Sequence, residues 1–179
     1  ITRMSIQRQR NIAIEGANSR TVLVDAFYED ARKLQPVVVF AHGFKGFKDW
    51  GTFDLIGERF VEAGFGFIKF NFSHNGVPPE APYEITDKTA FGENNYTKEL
   101  TDLDSLLEWV RETSLIPAEV LNREDLTLVG HSRGGSVTII KTCEDERVTR
   151  GISWSAPADL AARWTPSEYE SWQKEGVFY

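Results

Sequence analysis

Leu126-Thr127-Leu128-Val129-Gly130-His131-Ser132-Arg133-Gly134-Gly135 is the stretch on which the reading of this chain turns. Its first four residues form a short run suited to a strand buried on both faces of a parallel sheet. The next five match G-x-S-x-G, and a helical pattern with Val137, Ile139 and Ile140 follows. A serine caught between strand and helix sits on a sharp, strained turn. The glycines two positions away on each side, Gly130 and Gly134, have no Cβ to collide as the chain doubles back. The same turn sets the serine at a helix N-terminus, where free N–H groups and the helix dipole favour negative charge. G-x-S-x-G also arises by chance as a plain structural turn. The strand before it and the helix after it make Ser132 the candidate nucleophile, with His131 inside the turn and its side chain expected to point away from the hydroxyl.

Upstream, Val37-Val38-Val39-Phe40-Ala41-His42-Gly43-Phe44 is a second buried strand, ending in His-Gly. Where a serine turn of this kind is catalytic, the loop after such a strand supplies one backbone N–H for the oxyanion, and the residue after the serine supplies the other. By position these are the amides of Phe44 and Arg133. His42 reads as ordering the loop by hydrogen bonding rather than as a base, and Gly43 as support for the motif.

Further outward, Phe65 to Phe70 and the weaker Gly151 to Trp154 resemble the same kind of strand. Helical periods fill the gaps. Phe53, Ile56, Phe60 and Val61 make one apolar face ending at Gly64, and Leu100, Leu103, Leu106, Leu107 and Val110 make another. Ser5 to Ile14 and Thr21 to Tyr28 read as two antiparallel strands joined by a turn at Glu15 to Ser19. The fold class expected is α/β: a mostly parallel central sheet with helices on both faces and an antiparallel N-terminal hairpin. Pro78 to Ala90 carries three prolines and reads as a surface excursion. Residues 1–160 form the expected core. Residues 161–179 read as the start of a cap, with a capping box at Thr165-Pro166-Ser167-Glu168, Tyr169 and Trp172 one turn apart, and Trp164 just before.

The chain has 179 residues, 41% of them hydrophobic, enough for one domain with a core. Net charge is −7 with scattered basic residues, which argues against nucleic acid or an anionic membrane as partner. No apolar run approaches a membrane span, and the cytoplasm is the expected compartment. Cys143 is the single cysteine, so no internal disulfide forms; its place in an amphipathic stretch predicts a buried, inert thiol. His42, His74 and His131 share no metal-ligand spacing, and neither metal nor cofactor is expected.

With these motifs in view the chain resembles the α/β hydrolases, and within them the cinnamoyl/feruloyl-esterase and dienelactone-hydrolase-like branch. The resemblance runs from residue 20 to about 160. It is carried by His42-Gly43-Phe44-Lys45-Gly46, Phe67-Ile68-Lys69-Phe70-Asn71-Phe72-Ser73-His74-Asn75-Gly76, Gly130 to Gly135, and Ser155-Ala156-Pro157-Ala158. The branch usually shows Asp-Phe-x-Gly-x-Gly where this chain has Asn71 to Gly76. The resemblance implies a serine hydrolase of carboxylic esters working through an acyl-enzyme, with small-molecule esters as substrates and His74, Asn75 and Trp164 as candidate substrate contacts. It also implies an acid and a histidine after Ser132 in chain order. No histidine follows Ser132 here, so the base is expected from sequence beyond residue 179. His74 is the weaker alternative base and Asp159 a candidate acid. The chain alone is then expected to be nearly inactive and its fold to lack its last strands. More chain, a second fragment or a dimer partner would complete it. A catalytically silent binding protein is the rival reading; thioester and peptide substrates use the same machinery.

Overall fold

The computed structural model describes residues 5–159 and 165–175. Among the described residues six strands form one sheet: β1 (Ile6–Glu15), β2 (Thr21–Glu29), β3 (Gln35–Ala41), β4 (Gly66–Asn71), β5 (Leu121–His131) and β6 (Arg150–Trp154). Their spatial order is β1-β2-β4-β3-β5-β6. β1 pairs antiparallel with β2, and β2 with β4; β4, β3, β5 and β6 run parallel. The expected α/β class with its antiparallel N-terminal hairpin is therefore the architecture observed.

Among the described residues there are five α-helices, α1 (Phe53–Glu62), α2 (Lys88–Gly92), α3 (Tyr96–Glu112), α4 (Arg133–Glu144) and α5 (Pro166–Glu175), of which α1, α3 and α4 pack on the sheet. Period-two alternation sorts β3 between the faces. Val37, Val39 and Ala41 join the core under α3 and α4 with Leu103, Leu107, Val110 and Val137. Val38 and Phe40 join Phe53, Val61 and Phe67 under α1. α1 ends where Gly64 adopts φ +98, a left-handed stop that suits glycine.

The chain steps from β3 through α1 to β4 on one side, then through α2 and α3 to β5 on the other. The reversal opens a crevice beyond the carboxyl ends of β3 and β5, where open α/β sheets bind their ligands. The His42-Gly43 loop and the Ser132 turn both emerge there.

Two expectations need correction. Cys143 is exposed, not buried. Ile139 is also exposed, at 51%. The residues that α4 buries are instead Gly134, Gly135, Ser136, Val137, Thr138 and Lys141, and Ile139 and Cys143 lie outside that set. Pro78 to Ala90 is the surface excursion expected, apart from its last residue, Ala90, which is 1% exposed in α2, where Asp87 caps the helix through the Ala90 N–H. The capping box ahead of α5 is present, Thr165 N–H donating to Glu168 and Glu168 N–H to Thr165 Oγ1. Trp164 lies outside the described residues. No helix of the described residues is long and apolar enough to cross a membrane.

Candidate active site

Ser132 caps α4 with φ 55° and ψ −120°, a conformation that costs an L-residue about 1–3 kcal/mol and persists only where its surroundings hold it. Those surroundings are visible. Ser132 N–H donates to Trp154 O at 2.9 Å, which carries the β5–β6 pairing into the turn, and Gly135 N–H donates to Ser132 O at 2.9 Å. A Cβ on Gly130 would strike Gly134 O and Thr138 Oγ1; one on Gly134 would strike the Ala41 and His42 carbonyls. The first turn of α4 thus lies directly on the end of β3.

The loop after β3 abuts the serine. A Cβ on Gly43 would stand 2.9 Å from Ser132 Cβ and 3.5 Å from its Oγ. Gly43 O accepts from Gly46 N–H at 2.9 Å and from the His42 ring at 2.9 Å. In a planar trans peptide the C=O and the next N–H point oppositely, so these two bonds turn the Phe44 N–H away from His42. Among the described residues neither the Phe44 nor the Arg133 N–H donates a hydrogen bond.

His42 is 3% exposed, edge-on to the Phe72 ring. Phe72 N–H donates to its Nε2 at 3.3 Å, which assigns the ring proton to Nδ1. Burial lowers its pKa to about 4 from 6.5, against the smaller opposing effect of the Gly43 bond. An unfolded His42 takes up a proton below 6.5 and the folded one does not, so this site's contribution to stability falls as pH drops from 6.5 towards 4. NMR of ring nitrogens should therefore show a neutral Nδ1–H tautomer throughout pH 5–8. An imidazolium appearing near pH 6 would contradict the arrangement.

A cavity of about 390 Å³ opens beside Ser132. Phe44, Trp50, Phe53, Ile56 and Trp154 line it with apolar and aromatic surface, and His131 borders it. The His131 ring meets Trp154 edge-on at 5.4 Å. Among the described residues no histidine ring hydrogen-bonds Ser132 Oγ; those of His42 and His74 are engaged elsewhere.

The structure does not bring His74 to this cavity. It is fully buried, with Nδ1 at 2.7 Å from Ser73 Oγ, which in turn donates to Asp102. Burial is the first cause lowering its pKa, with Lys98 and Arg20 adding to the effect. The expected substrate contact is instead part of a buried polar network, because Asn71 to Gly76 turns inward over α3. Asn75 is 6% exposed and braces the loop after β3 by donating to Gly46 O at 3.4 Å. Asp159 is exposed.

Two clusters beside the site escaped the sequence reading. Arg133 Nε donates to both carboxylate oxygens of Glu99, at 2.8 and 3.0 Å, and its guanidinium lies 3.9 Å over the Tyr96 ring. Beneath the Lys48-Asp49-Trp50 loop, Asp25, Asp49 and Asp54 gather their oxygens within 4.8 Å. Such a donor set could hold a cation, and it already does: Lys48 and Lys69 ammonium groups and the Arg10 guanidinium reach into it. Its members come from β1, β2, β4, α1 and a loop, so no local spacing announces it. For Glu99 the only sequence signal was a charged residue immediately preceding Leu100, the first residue of that helix's apolar face.

No protein-family model matches this sequence, and no curated protein matches it. Solved structures do. GrgF, an alpha/beta hydrolase from Penicillium sp. sh18, aligns with TM-score 0.74 at 18% identity over 95% of this chain and 52% of that one. An acetyl xylan esterase from Paenibacillus sp. R4 aligns with TM-score 0.65 at 13% identity over 97% and 63%. Est1E from Butyrivibrio proteoclasticus, solved with ferulic acid bound, aligns with TM-score 0.62 at 16% identity over 81% and 52%. The chain thus spans between half and two thirds of the length of these structures. The likeness establishes the α/β-hydrolase fold.

Proposed function

We propose that this α/β-hydrolase-fold chain carries the nucleophile and both oxyanion donors of a serine hydrolase of carboxylic esters. One observation carries the reading: Ser132 is held at φ 55° on a strand-to-helix turn, against Gly43, beside two backbone N–H groups that have no hydrogen-bond partner among the described residues. Such strain is kept where the surrounding structure enforces it, and it clusters at reactive sites.

In this mechanism Ser132 Oγ attacks the ester carbonyl carbon, its proton passing to a histidine base that an acidic residue orients. The carbonyl oxygen becomes an oxyanion held by the Phe44 and Arg133 amides. Collapse breaks the bond to the alcohol, which leaves with the proton, and an acyl-Ser132 ester remains. Water, activated by the same base, attacks the acyl carbon and releases the acid with free serine. The base comes, in this reading, from a histidine beyond residue 179; the chain by itself then retains only the residual rate that an oxyanion hole supplies. The half-exposed aromatic walls of the cavity suit an apolar or aryl acid, and the names of Est1E with ferulic acid and of the acetyl xylan esterase support ester substrates. A thioester or peptide could use the same groups.

A silent ligand-binding protein is the second reading, favoured by the absence of a ring nitrogen on Ser132 Oγ among the described residues. A fluorophosphonate probe applied to the protein as encoded decides between them. Labelling at Ser132, lost on denaturation, is expected, because the probe reacts only with an activated hydroxyl. A folded protein that resists labelling would leave the binder.

A further inference from the structure

We propose that Glu99 is a positioning residue for the Ser132 turn: its carboxylate anchors the Arg133 guanidinium, and with it the backbone N–H that faces the developing oxyanion. The inference rests on the reading of Ser132 as nucleophile.

Glu99 lies in the first turn of α3 and is 3% exposed. Both of its oxygens accept from Arg133 Nε, and Oε1 also accepts from Asn94 Nδ2 at 2.7 Å. The Tyr96 ring supports the guanidinium from one side at 3.9 Å. One segment, Asn94 to Glu99, therefore restrains a single side chain by ion pairing, hydrogen bonding and stacking. Burial pushes the Glu99 carboxyl up, Arg133 and Asn94 pull it back, and nearby Asp102 adds to the rise. A buried carboxylate held in that way is costly to the fold, and an apolar pair of similar volume often stabilises as well.

What an apolar pair does not do is fix direction. Arg133 is the first residue of α4 and follows the strained Ser132 immediately. Gly134 and Gly135, which come next, have no side chains with which to hold the turn. Relaxation of the strain would rotate the 132–133 peptide, and the Glu99 clamp opposes that rotation from the helix side as the Trp154 bond does from the strand side. The preceding helix reaches the other donor, since Phe91 of α2 packs on the Phe44 ring at 5.4 Å.

The test pairs Glu99→Leu with Arg133→Met, which removes both charges together and leaves neither buried alone. With the protein as encoded, kcat should fall about 10- to 100-fold while KM stays within about twofold, less than the loss of a whole oxyanion donor. A phenylboronic acid, which forms a tetrahedral adduct on the serine, should bind weaker by a similar factor. A merely structural pair would lower the melting temperature and leave the KM-against-kcat split and the boronate affinity of the folded fraction unchanged. If the double variant does not fold, Glu99→Gln, which keeps shape and an acceptor, should still show a loss of about three- to tenfold in kcat with KM unmoved. Fluorophosphonate labelling of the wild type separates the failures. Absent labelling overturns the nucleophile reading and this proposal with it. Normal labelling with unchanged kcat and boronate affinity in the variants overturns the role of Glu99 alone.

Discussion

Ser132→Ala is expected to lower kcat for ester hydrolysis by about 10⁴- to 10⁶-fold while KM changes by no more than a few-fold. The substitution deletes one oxygen and leaves the cavity walls, the Phe44 and Arg133 amides and the backbone of the turn in place. Ground-state binding should therefore survive, and what remains of the rate is the part an oxyanion hole can deliver to attacking water. Alanine at φ 55° is as strained as serine, so stability should hardly move. Steady-state kinetics with a chromogenic ester, together with thermal unfolding, checks both halves. A variant keeping a tenth of the wild-type kcat would remove Ser132 from the chemistry and return the glycine-flanked turn to a purely structural role.

The second large effect is on stability. Lys69→Met should destabilise the protein by about 3–5 kcal/mol, the usual consequence of removing one partner from a buried ionic cluster. Lys69 lies on β4 and is 0% exposed. Its Nζ reaches Asp49 at 2.6 Å, Asp54 at 2.5 Å and Asp25 at 3.3 Å, and donates to Lys48 O at 2.8 Å. Burial acts to lower the Lys69 pKa, but Asp49, Asp54 and Asp25 outweigh it and the group stays charged. Burial likewise acts to raise Asp49 and Asp54, yet the facing cations hold both below the ordinary carboxylate value of 3.8. Carboxylates depressed in the folded state contribute stability above 3.8 and lose it as pH falls through their folded values. The contribution of this cluster to the wild type should accordingly persist until below that point. In Lys69→Met the carboxylates are stranded, and protonating them relieves their repulsion. Urea unfolding should therefore show a larger deficit at pH 7 than at pH 4.5. An equal or greater deficit at the lower pH would mean that lost packing, not charge, sets the effect.

The two sites differ in how far local order betrays them. The turn at Ser132 was readable because its geometry demands a contiguous pattern: an apolar strand, glycines at fixed offsets around a serine, then helical periodicity. The loop at His42-Gly43-Phe44 was readable for the same reason. His74 was misread because sequence position put it on the loop after β4 at the edge of the sheet where the site lies. Inward or outward direction depends on Asp102, 28 residues further along, whose carboxylate accepts from Ser73 N–H and Ser73 Oγ. Cys143 and Ile139 were misread because α4 buries a set rich in small and polar residues, which a count of apolar residues does not locate.

From its amino acids alone the chain determines the strand–helix alternation, the glycine-permitted turn and the serine at its apex, since each follows from backbone sterics and periodicity within a dozen residues. Tertiary structure decided the rest. The reversal of strand order at β3 brings Gly43 against Ser132, and residues from five separate elements balance charge under the Trp50 loop. Glu99 meets Arg133 across 34 positions of chain. Contacts of that kind are set by how layers pack, and packing is a property of the whole sheet that no local spacing encodes.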